Sequence, residues 1–414
     1  MHRPPVLDAL FQALLTNNQA ALSDIEANRA EECVDLRALI STDHQGAVAL
    51  DLGLGLTSGV YVTPIFEGPR AFFISRYISL QARLTDGRST VPLDYSLSFD
   101  SNFAEKLRAT LNGENIQPTD RARVIDVLML KANNARVQFD VMPFLYENIR
   151  LARDNEKNER PLDTLIAFHM LDHLNWEAFR GDPSQFDFDA PVEALKASLK
   201  SDANALFISE YANPSVRHHE AKSLGIQALL LRFASLWHET KKPDAKRIMS
   251  ALFEFSLSTL GFLPVTELSL IWSGTASKVV APFFGPVINP SKKMLKDIRG
   301  MAWDMTHLRL MEQTAQLTRL GSFFVPHFVS MDGSWRDLLR LNPIRFMLVD
   351  DARKSMLFAR ANELSFQNFF NECAGAELLE EEHPEKVATR RAAAQSIDIE
   401  AMQRLVTNEE RAWL

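Results

Sequence analysis

The chain has 414 residues, which is enough for two or three domains or for one domain with a large insertion. Its 46% hydrophobic and 24% charged residues are typical of a globular protein, and they exclude a disordered chain. The net charge of −8 excludes a surface that is basic all over, while two cysteines, Cys33 and Cys373, exclude a disulfide framework and a cysteine-based zinc site.

These properties predict a cytoplasmic protein. No run approaches the roughly 20 uninterrupted apolar residues that a membrane span needs, and the N-terminus lacks the apolar core of a signal peptide. The acidic balance does not exclude a nucleic-acid substrate, because a nuclease needs only a local basic rim around an acidic centre.

The first 94 residues are predicted to form helices followed by short strands. Apolar residues at helical spacing predict helices within residues 6–40, beginning with Val6–Leu15. Short β-type runs then follow at 47–50, 60–62 and 71–75. The glycine-rich stretch 53–59 lacks the Lys-Ser/Thr pair of a phosphate-binding loop, so it favours a hairpin connection.

The next element carries the first candidate functional residue. Alternating Tyr95, Leu97 and Phe99 predict a half-buried strand that ends at Asp100. Asn102 is the predicted N-cap of the following helix, with a glutamate three residues later in capping-box spacing. Open α/β sheets place their chemistry at the carboxyl ends of strands. The alternative is a strand that simply ends in turn-forming polar residues.

Helix dominates the rest of the predicted chain. Residues 103–262 are predicted to be almost wholly helical, and 261–266 to form a short strand before a helix that begins at Glu267. One long helix or a helix pair is predicted over 292–320, followed by a second strand region at 321–330. From Ser334 onwards the pattern is again largely helical and becomes highly charged.

Three acids occupy comparable positions in this pattern. Asp100 and Asp332 each follow an apolar strand, and Asp304 lies within a helix. If the two strands are parallel neighbours, their terminal carboxylates converge, and Asp304 reaches them from the crossing helix. Crowded carboxylates repel one another and require a cation. Oxygen ligands suit Mg²⁺ or Mn²⁺, and such an ion lowers the pKa of a bound water.

These motifs resemble those of the PIN-like nuclease family. Phe99-Asp100-Ser101-Asn102 matches the family's first-strand Asp-x-Asn, and Trp303-Asp304 matches its helix-borne acid. Ser330-Met331-Asp332 matches its last-strand Ser/Thr-x-Asp. The resemblance implies a small parallel sheet between helices, metal ligation by the three aspartates, and orientation of a ligand by Asn102 or Ser330. It covers residues 95–150 and 260–345.

The family's remaining acid, a glutamate near the start of a helix after the second strand, has two candidates here. Glu267 follows a proline-containing stretch with the pattern of a short strand. Glu147 lies at the more usual sequence distance from Asp100. We favour Glu267, which would place a helical insertion of residues 150–260 ahead of the second strand.

Each of these residues also has a structural interpretation. Asp304 is equally consistent with a surface acid beside a core tryptophan, and Asp332-Gly333 is a common turn dipeptide. Glu267 would be favourable at the positive end of any helix. A further alternative, a histidine-based metal site, requires His169 and His173 to face a third ligand.

The sequence therefore predicts a helix-dominated α/β protein in three parts. Residues 1–94 form an N-terminal helix and β-hairpin region, 95–345 a PIN-like core interrupted by the helical insertion, and 346–414 a C-terminal helical segment. The predicted function is Mg²⁺- or Mn²⁺-dependent hydrolysis of a phosphodiester, in RNA rather than DNA, as in a toxin or phage-defence nuclease. A homo-oligomer or an inhibitor protein is compatible as partner. The alternative is a non-enzymatic helical scaffold or regulatory interaction protein.

Overall fold

The structure is a computed structural model. It describes residues 5–42, 49–51, 61–68, 70–75, 93–154, 158–239, 243–276, 280–314, 323–353, 355–373, 380, 383–394 and 397–414. The glycine-rich stretch 53–59, with its predicted hairpin connection, lies outside the described residues.

Helix is the dominant secondary structure, as predicted. The N-terminal half of the described chain contains α1 (Pro5–Leu15), α2 (Gln19–Asn28), α3 (Ser101–Leu111), α4 (Pro118–Asn133), α5 (Met142–Asp154), α6 (Arg160–Met170), α7 (Trp176–Gly181) and α8 (Val192–Tyr211). The C-terminal half contains α9 (Pro214–His238), α10 (Ala245–Phe255), α11 (Val265–Thr275), α12 (Gly285–Ile288), α13 (Met294–Thr314), α14 (Gly333–Leu341), α15 (Glu363–Cys373), α16 (Pro384–Ala394) and α17 (Ile399–Glu410).

Two sheets accompany the helices. Their strands are β1 (Leu36–Thr42), β2 (Ala49–Asp51), β3 (Val62–Pro64), β4 (Arg70–Ser75), β5 (Leu93–Phe99), β6 (Val137–Asp140), β7 (Phe323–Val329), β8 (Ile344–Asp350) and β9 (Ser355–Arg360). One sheet is antiparallel with the order β2-β4-β1-β8-β9. The other has the order β3-β7-β5-β6 and is mixed.

The antiparallel sheet combines strands from the N-terminal and C-terminal parts of the chain. Two predictions about these strands are wrong. Most of strand β1 lies in residues 6–40, which were predicted to be helical, and β8 and β9 lie in the segment predicted to be helical after Ser334. Along β8 nearly every residue is buried. A strand buried on both faces reads as a continuous apolar run, and periodicity does not distinguish such a run from a buried helix.

The mixed sheet positions the strand ends that carry acids. Strand β5 pairs in parallel with β7 on one side and with β6 on the other, while β3 is antiparallel to β7. Residues Tyr95–Phe99 of β5 are all buried, as expected for a central parallel strand covered by helices on both faces. The predicted strands that end before Asp100 and Asp332 are thus present, and they are direct neighbours.

The predicted strand at 261–266 is wrong. Gly261 adopts φ 74° after a π-helical turn at Ser256–Leu260, and α11 begins at Val265 immediately after Pro264. In this sheet, the strand that follows β5 along the chain is instead β6 at Val137–Asp140. The long run of helices therefore lies between β6 and β7 and does not precede the second strand.

The largest core cluster spans the mixed sheet and the helices around it, with α9 at its centre. This helix is buried along most of its length and packs against α13 and α17. A helix that is apolar on most sides is expected in the interior of a larger protein. Helix α13, which carries Asp304, is thereby held between α9 and strand β7. No helix within the described ranges is both long and apolar enough to cross a membrane.

Candidate active site

The carboxyl ends of β5 and β7 lie side by side. Phe99 is in register with Val329, and the N–H of Asp100 donates to the carbonyl of Val329 at 3.1 Å. The next residues of both strands turn into helices, α3 after β5 and α14 after β7. Parallel strands that end at the same register bring the residues after them to one edge of the sheet.

Asp100 is the N-cap of α3. Its Oδ1 accepts a hydrogen bond from the Phe103 N–H at 2.7 Å, and its Oδ2 accepts one from Ser330 Oγ at 2.6 Å. The predicted N-cap, Asn102, is instead inside the helix, exposed at the edge of the cleft described below. A residue in extended conformation immediately before the first helical turn is best placed to cap it, and Asp100 has ψ 166°.

Burial dominates the ionisation of Asp100. Asp100 is only 4% exposed, and removal of its carboxyl from water raises the pKa of that group from 3.8 to about 7. The hydrogen bonds from Ser330 and Phe103 act in the opposite direction, and the nearby charges of Glu147 and Asp332 raise the pKa further. Asp100 is therefore close to half-protonated at neutral pH.

Asp332 is the N-cap of α14 and is the counterpart of Asp100 on the neighbouring strand. Its Oδ1 accepts from the N–H groups of Ser334 and Trp335 at 2.8 and 3.2 Å. Ser330 links the two acids, because its Oγ accepts from the Asp332 N–H at 2.9 Å while donating to Asp100. Ser330 was predicted to orient a ligand, and in the structure it bridges the two aspartates.

Asp304 faces the same acids from α13. Burial raises the pKa of its carboxyl well above 3.8, and the charges of Asp100, Glu147 and Asp332 raise it further. These interactions place the four carboxyl groups within electrostatic reach of one another. Asp304 does follow a buried tryptophan, as in the structural interpretation, and it lines the same cleft as Asp100 and Asp332.

Of the two glutamate candidates, the structure places Glu147 with the aspartates. Glu147 lies on α5, which follows β6, and it accepts a hydrogen bond from Ser101 Oγ, next to Asp100 in the chain. Glu267 is 3% exposed and forms an ion pair with Arg309 at 3.3 Å. The preference for Glu267 is therefore corrected: its carboxylate is compensated by the partly buried Arg309 and does not line the cleft that holds the aspartates.

His307, which the sequence did not indicate as a site residue, lies next to the acids. His307 is fully buried one turn after Asp304, with its Nε2 3.7 Å from Glu147 Oε2. Its ring stacks on Trp303 and faces His219, whose own ring contacts Tyr146. The ring nitrogens of His307 have no hydrogen-bond partner among the residues that the structure describes. The spacing of three residues between Asp304 and His307 was the available signal, since it places both on one helix face.

In the part of the chain that the structure describes, His169 and His173 do not form the alternative metal site. His173 Nδ1 pairs with Asp189 Oδ2 at 2.8 Å on an exposed surface. Within the described ranges no third ligand joins it and His169 in a group suited to a metal ion.

The acids line a cleft of about 410 Å³, within the roughly 300–1,000 Å³ of typical ligand pockets. Among the described residues that line it, the acids outnumber the bases by five to one. They are Asp100, Glu147, Asp297, Asp304 and Asp332, and the base is Lys296. So many carboxyl groups in one cleft remain together only if protons or a cation neutralise part of their charge.

The donor set fits a hard divalent cation by its chemistry, because carboxylate oxygens are the ligands that Mg²⁺ and Mn²⁺ prefer. As positioned, the side chains that the structure describes do not form a group of three or more His, Cys, Asp or Glu residues with the geometry of a metal site. The raised pKa values of Asp100 and Asp304 indicate that protons take up part of the charge in this arrangement.

Comparison with protein-family models, with curated proteins and with solved structures finds no match to this chain.

Proposed function

We propose that the protein is a metal-dependent phosphodiesterase of the PIN-like type that cleaves RNA. The observation that carries this proposal is the meeting of Asp100, Glu147, Asp304 and Asp332 at the carboxyl edge of β5 and β7. The order of these acids along the chain, strand end, helix, helix and strand end, is the order that the sequence resemblance implies. The parallel pairing of β7, β5 and β6 supports the same assignment.

Asp100, Asp304 and Asp332 would hold Mg²⁺ or Mn²⁺, with Glu147 completing the set. The ion would supply a water of lowered pKa and would neutralise charge on a phosphodiester oxygen. Ser330 orients Asp100 through its Oγ–H, and Ser101 orients Glu147. Asn102 lies exposed at the cleft, where its amide can donate to a substrate oxygen.

Helix N-termini add to the electrostatics of this edge of the sheet. Asp100 and Asp332 begin α3 and α14, so the amide ends of two helices point toward the cleft. These ends favour negative charge and partly offset the repulsion among the carboxylates.

Cleavage of single-stranded RNA with Mn²⁺ tests the proposal. We expect the wild-type chain to cleave and Asp304→Asn to lose at least about a hundredfold in rate, since a loss of that order corresponds to about 3 kcal/mol of transition-state stabilisation. Asp337→Asn, at an exposed position of α14, is the matched control and should retain activity. Equal rates for the wild type and Asp304→Asn would refute the assignment of the site.

The setting of this activity is part of the proposal. A cytoplasmic location suits an RNA substrate, and a toxin or phage-defence role follows from the family resemblance alone. The alternative function, a non-enzymatic scaffold or regulatory partner, predicts that substitutions in the cleft change stability without affecting any metal-dependent cleavage.

A further inference from the structure

Two arginines stack on one tyrosine beside the cleft. The guanidinium carbon of Arg123 lies 4.6 Å from the centre of the Tyr61 ring, and that of Arg336 lies 4.9 Å from it. The three residues come from three separate parts of the chain, namely the segment before β3, helix α4 and helix α14. We call this group the arginine stack.

The arginine stack is joined directly to the strand end that carries the acids. The carbonyl of Tyr61 accepts from the Ser330 N–H at 3.0 Å, and Ser330 Oγ holds Asp100. Arg123 Nη1 lies 3.9 Å from the sulfur of Met331, the residue before Asp332. Both connections place the guanidinium groups next to the residues that begin α14.

Arg336 approaches the same point from the helix. A Cβ atom built on Gly333 would lie 3.6 Å from Arg336 Nη2, so the guanidinium folds back along the first turn of α14, next to Asp332. Arg336 therefore lies beside both the first turn of α14 and the tyrosine ring.

Two described cations share one carboxylate beside the arginine stack. Asp120 is shared by Arg123 at 3.4 Å and by Lys106 at 2.9 Å, so one carboxylate faces two cations. The side chains of Arg123 and Lys106 are 37% and 39% exposed. This basic edge contrasts with the cleft, where the described lining is strongly acidic.

We propose that the arginine stack is a backbone-phosphate subsite for a single RNA strand whose reacting bond lies in the acidic cleft. This inference rests on the proposed function. Tyr61 contacts both guanidinium groups through cation–π interactions, which orient them. An oriented guanidinium binds phosphate oxygens through two parallel N–H donors, and a lysine cannot reproduce this geometry. An acidic cleft repels a polyanion, so a neighbouring phosphate anchor is required to retain the strand.

Binding is measured without cleavage, by fluorescence anisotropy of a labelled single-stranded RNA of mixed sequence in EDTA. We expect the double variant Arg123→Gln/Arg336→Gln to weaken binding at least about tenfold at moderate salt. The slope of log affinity against log salt should fall by about 1.4, because each phosphate contact on a single strand contributes about 0.7. A merely structural role of the arginines would leave this slope unchanged.

The matched control is Arg345→Gln/Arg404→Gln, which removes the same charge from exposed positions on β8 and α17. We expect it to bind RNA with the wild-type salt slope. Arg123→Lys/Arg336→Lys keeps the charge and guards against loss of folding. It should retain the slope but bind more weakly, because the planar donors are lost. Tyr61→Phe should resemble the wild type, whereas Tyr61→Leu should weaken binding.

The outcomes separate this inference from the proposed function. Arginine-dependent binding supports the subsite even if the wild type fails to cleave RNA with Mn²⁺, a failure that would refute only the proposed function. Equal affinity and slope for the wild type and the double glutamine variant overturn the subsite, even if cleavage is observed. Failure of the wild type to bind RNA, or an equal loss in the matched control, also overturns it.

Discussion

Replacement of Asp100 by asparagine is expected to stabilise the protein in the absence of divalent ions. The folded chain holds this carboxyl at a pKa of about 7, against 3.8 for an exposed aspartate. The unfolded state therefore loses its proton more readily than the folded state. Between these two pKa values stability falls as the pH rises, by about 1.4 kcal/mol for each pH unit.

The full difference corresponds to on the order of 4 kcal/mol, lost between pH 4 and pH 8. Asparagine is neutral throughout this range and can still accept from the Phe103 N–H through its one oxygen. Its amide nitrogen would face Ser330 Oγ, which can accept a hydrogen bond in place of donating one. Asp100→Asn should thus match the wild type near pH 4 and exceed its stability at pH 8.

The assay is urea unfolding in EDTA at a series of pH values, followed by tryptophan fluorescence. Asp337→Asn serves as the control for loss of a charge at an exposed position. Parallel pH profiles for the wild type and Asp100→Asn would refute the reasoning, because they would show that burial and crowding do not hold a proton on this carboxyl.

Three further results are expected from the packing and charges around the site. Glu147→Gln should abolish Mn²⁺-dependent cleavage with little change in melting temperature. Glu267→Gln should instead lower the melting temperature and leave the folded fraction active, because Glu267 compensates the charge of Arg309. The reverse pattern would assign Glu267 to the site. Burial and the neighbouring His307 hold the pKa of His219 well below 6.5, so the unfolded state gains the proton first and stability falls as the pH drops below 6.5. His219→Phe should reduce this acid loss in thermal unfolding, and an unchanged profile would contradict it. Gly274→Ala should lower the free energy of unfolding by about 1–3 kcal/mol in thermal unfolding, because the new Cβ would lie 2.4 Å from Phe284 Cε2. Gly300→Ala is the control, since its Cβ meets nothing within 4 Å, and it should not destabilise the protein.

The strand ends were predictable because two local signals coincide there. At Asp100 and Asp332 an apolar strand is followed by an acid and then by a helical pattern. In the structure each acid also caps the helix, in place of the predicted cap Asn102 after β5. This coincidence fixes the location of the side chain at the sheet edge. Asp304 could be predicted only together with the two strand-end acids, because one acid in a helix does not show which way its side chain faces.

The second strand was missed for the opposite reason. Strand β6 has only four residues, Val137–Asp140, and it lies between α4 and α5 in a region of continuous helical spacing. Val137 and Phe139 alternate with polar residues, but the run is very short, and its pairing with β5 is long-range. Once the second strand was assigned to 261–266, Glu267 followed as the fourth acid and Glu147 was displaced.

The energetics of the cleft argue for a role beyond structure. A fold that needed this edge only for packing would be more stable with Asn in place of Asp100, because the buried carboxyl opposes folding at neutral pH. The same holds for Asp304, whose carboxyl is disfavoured by burial and by three neighbouring acids. Groups that destabilise the fold in isolation are characteristic of functional sites, where a ligand supplies the missing compensation. Here the missing compensation is positive charge, which is what a bound divalent cation would supply.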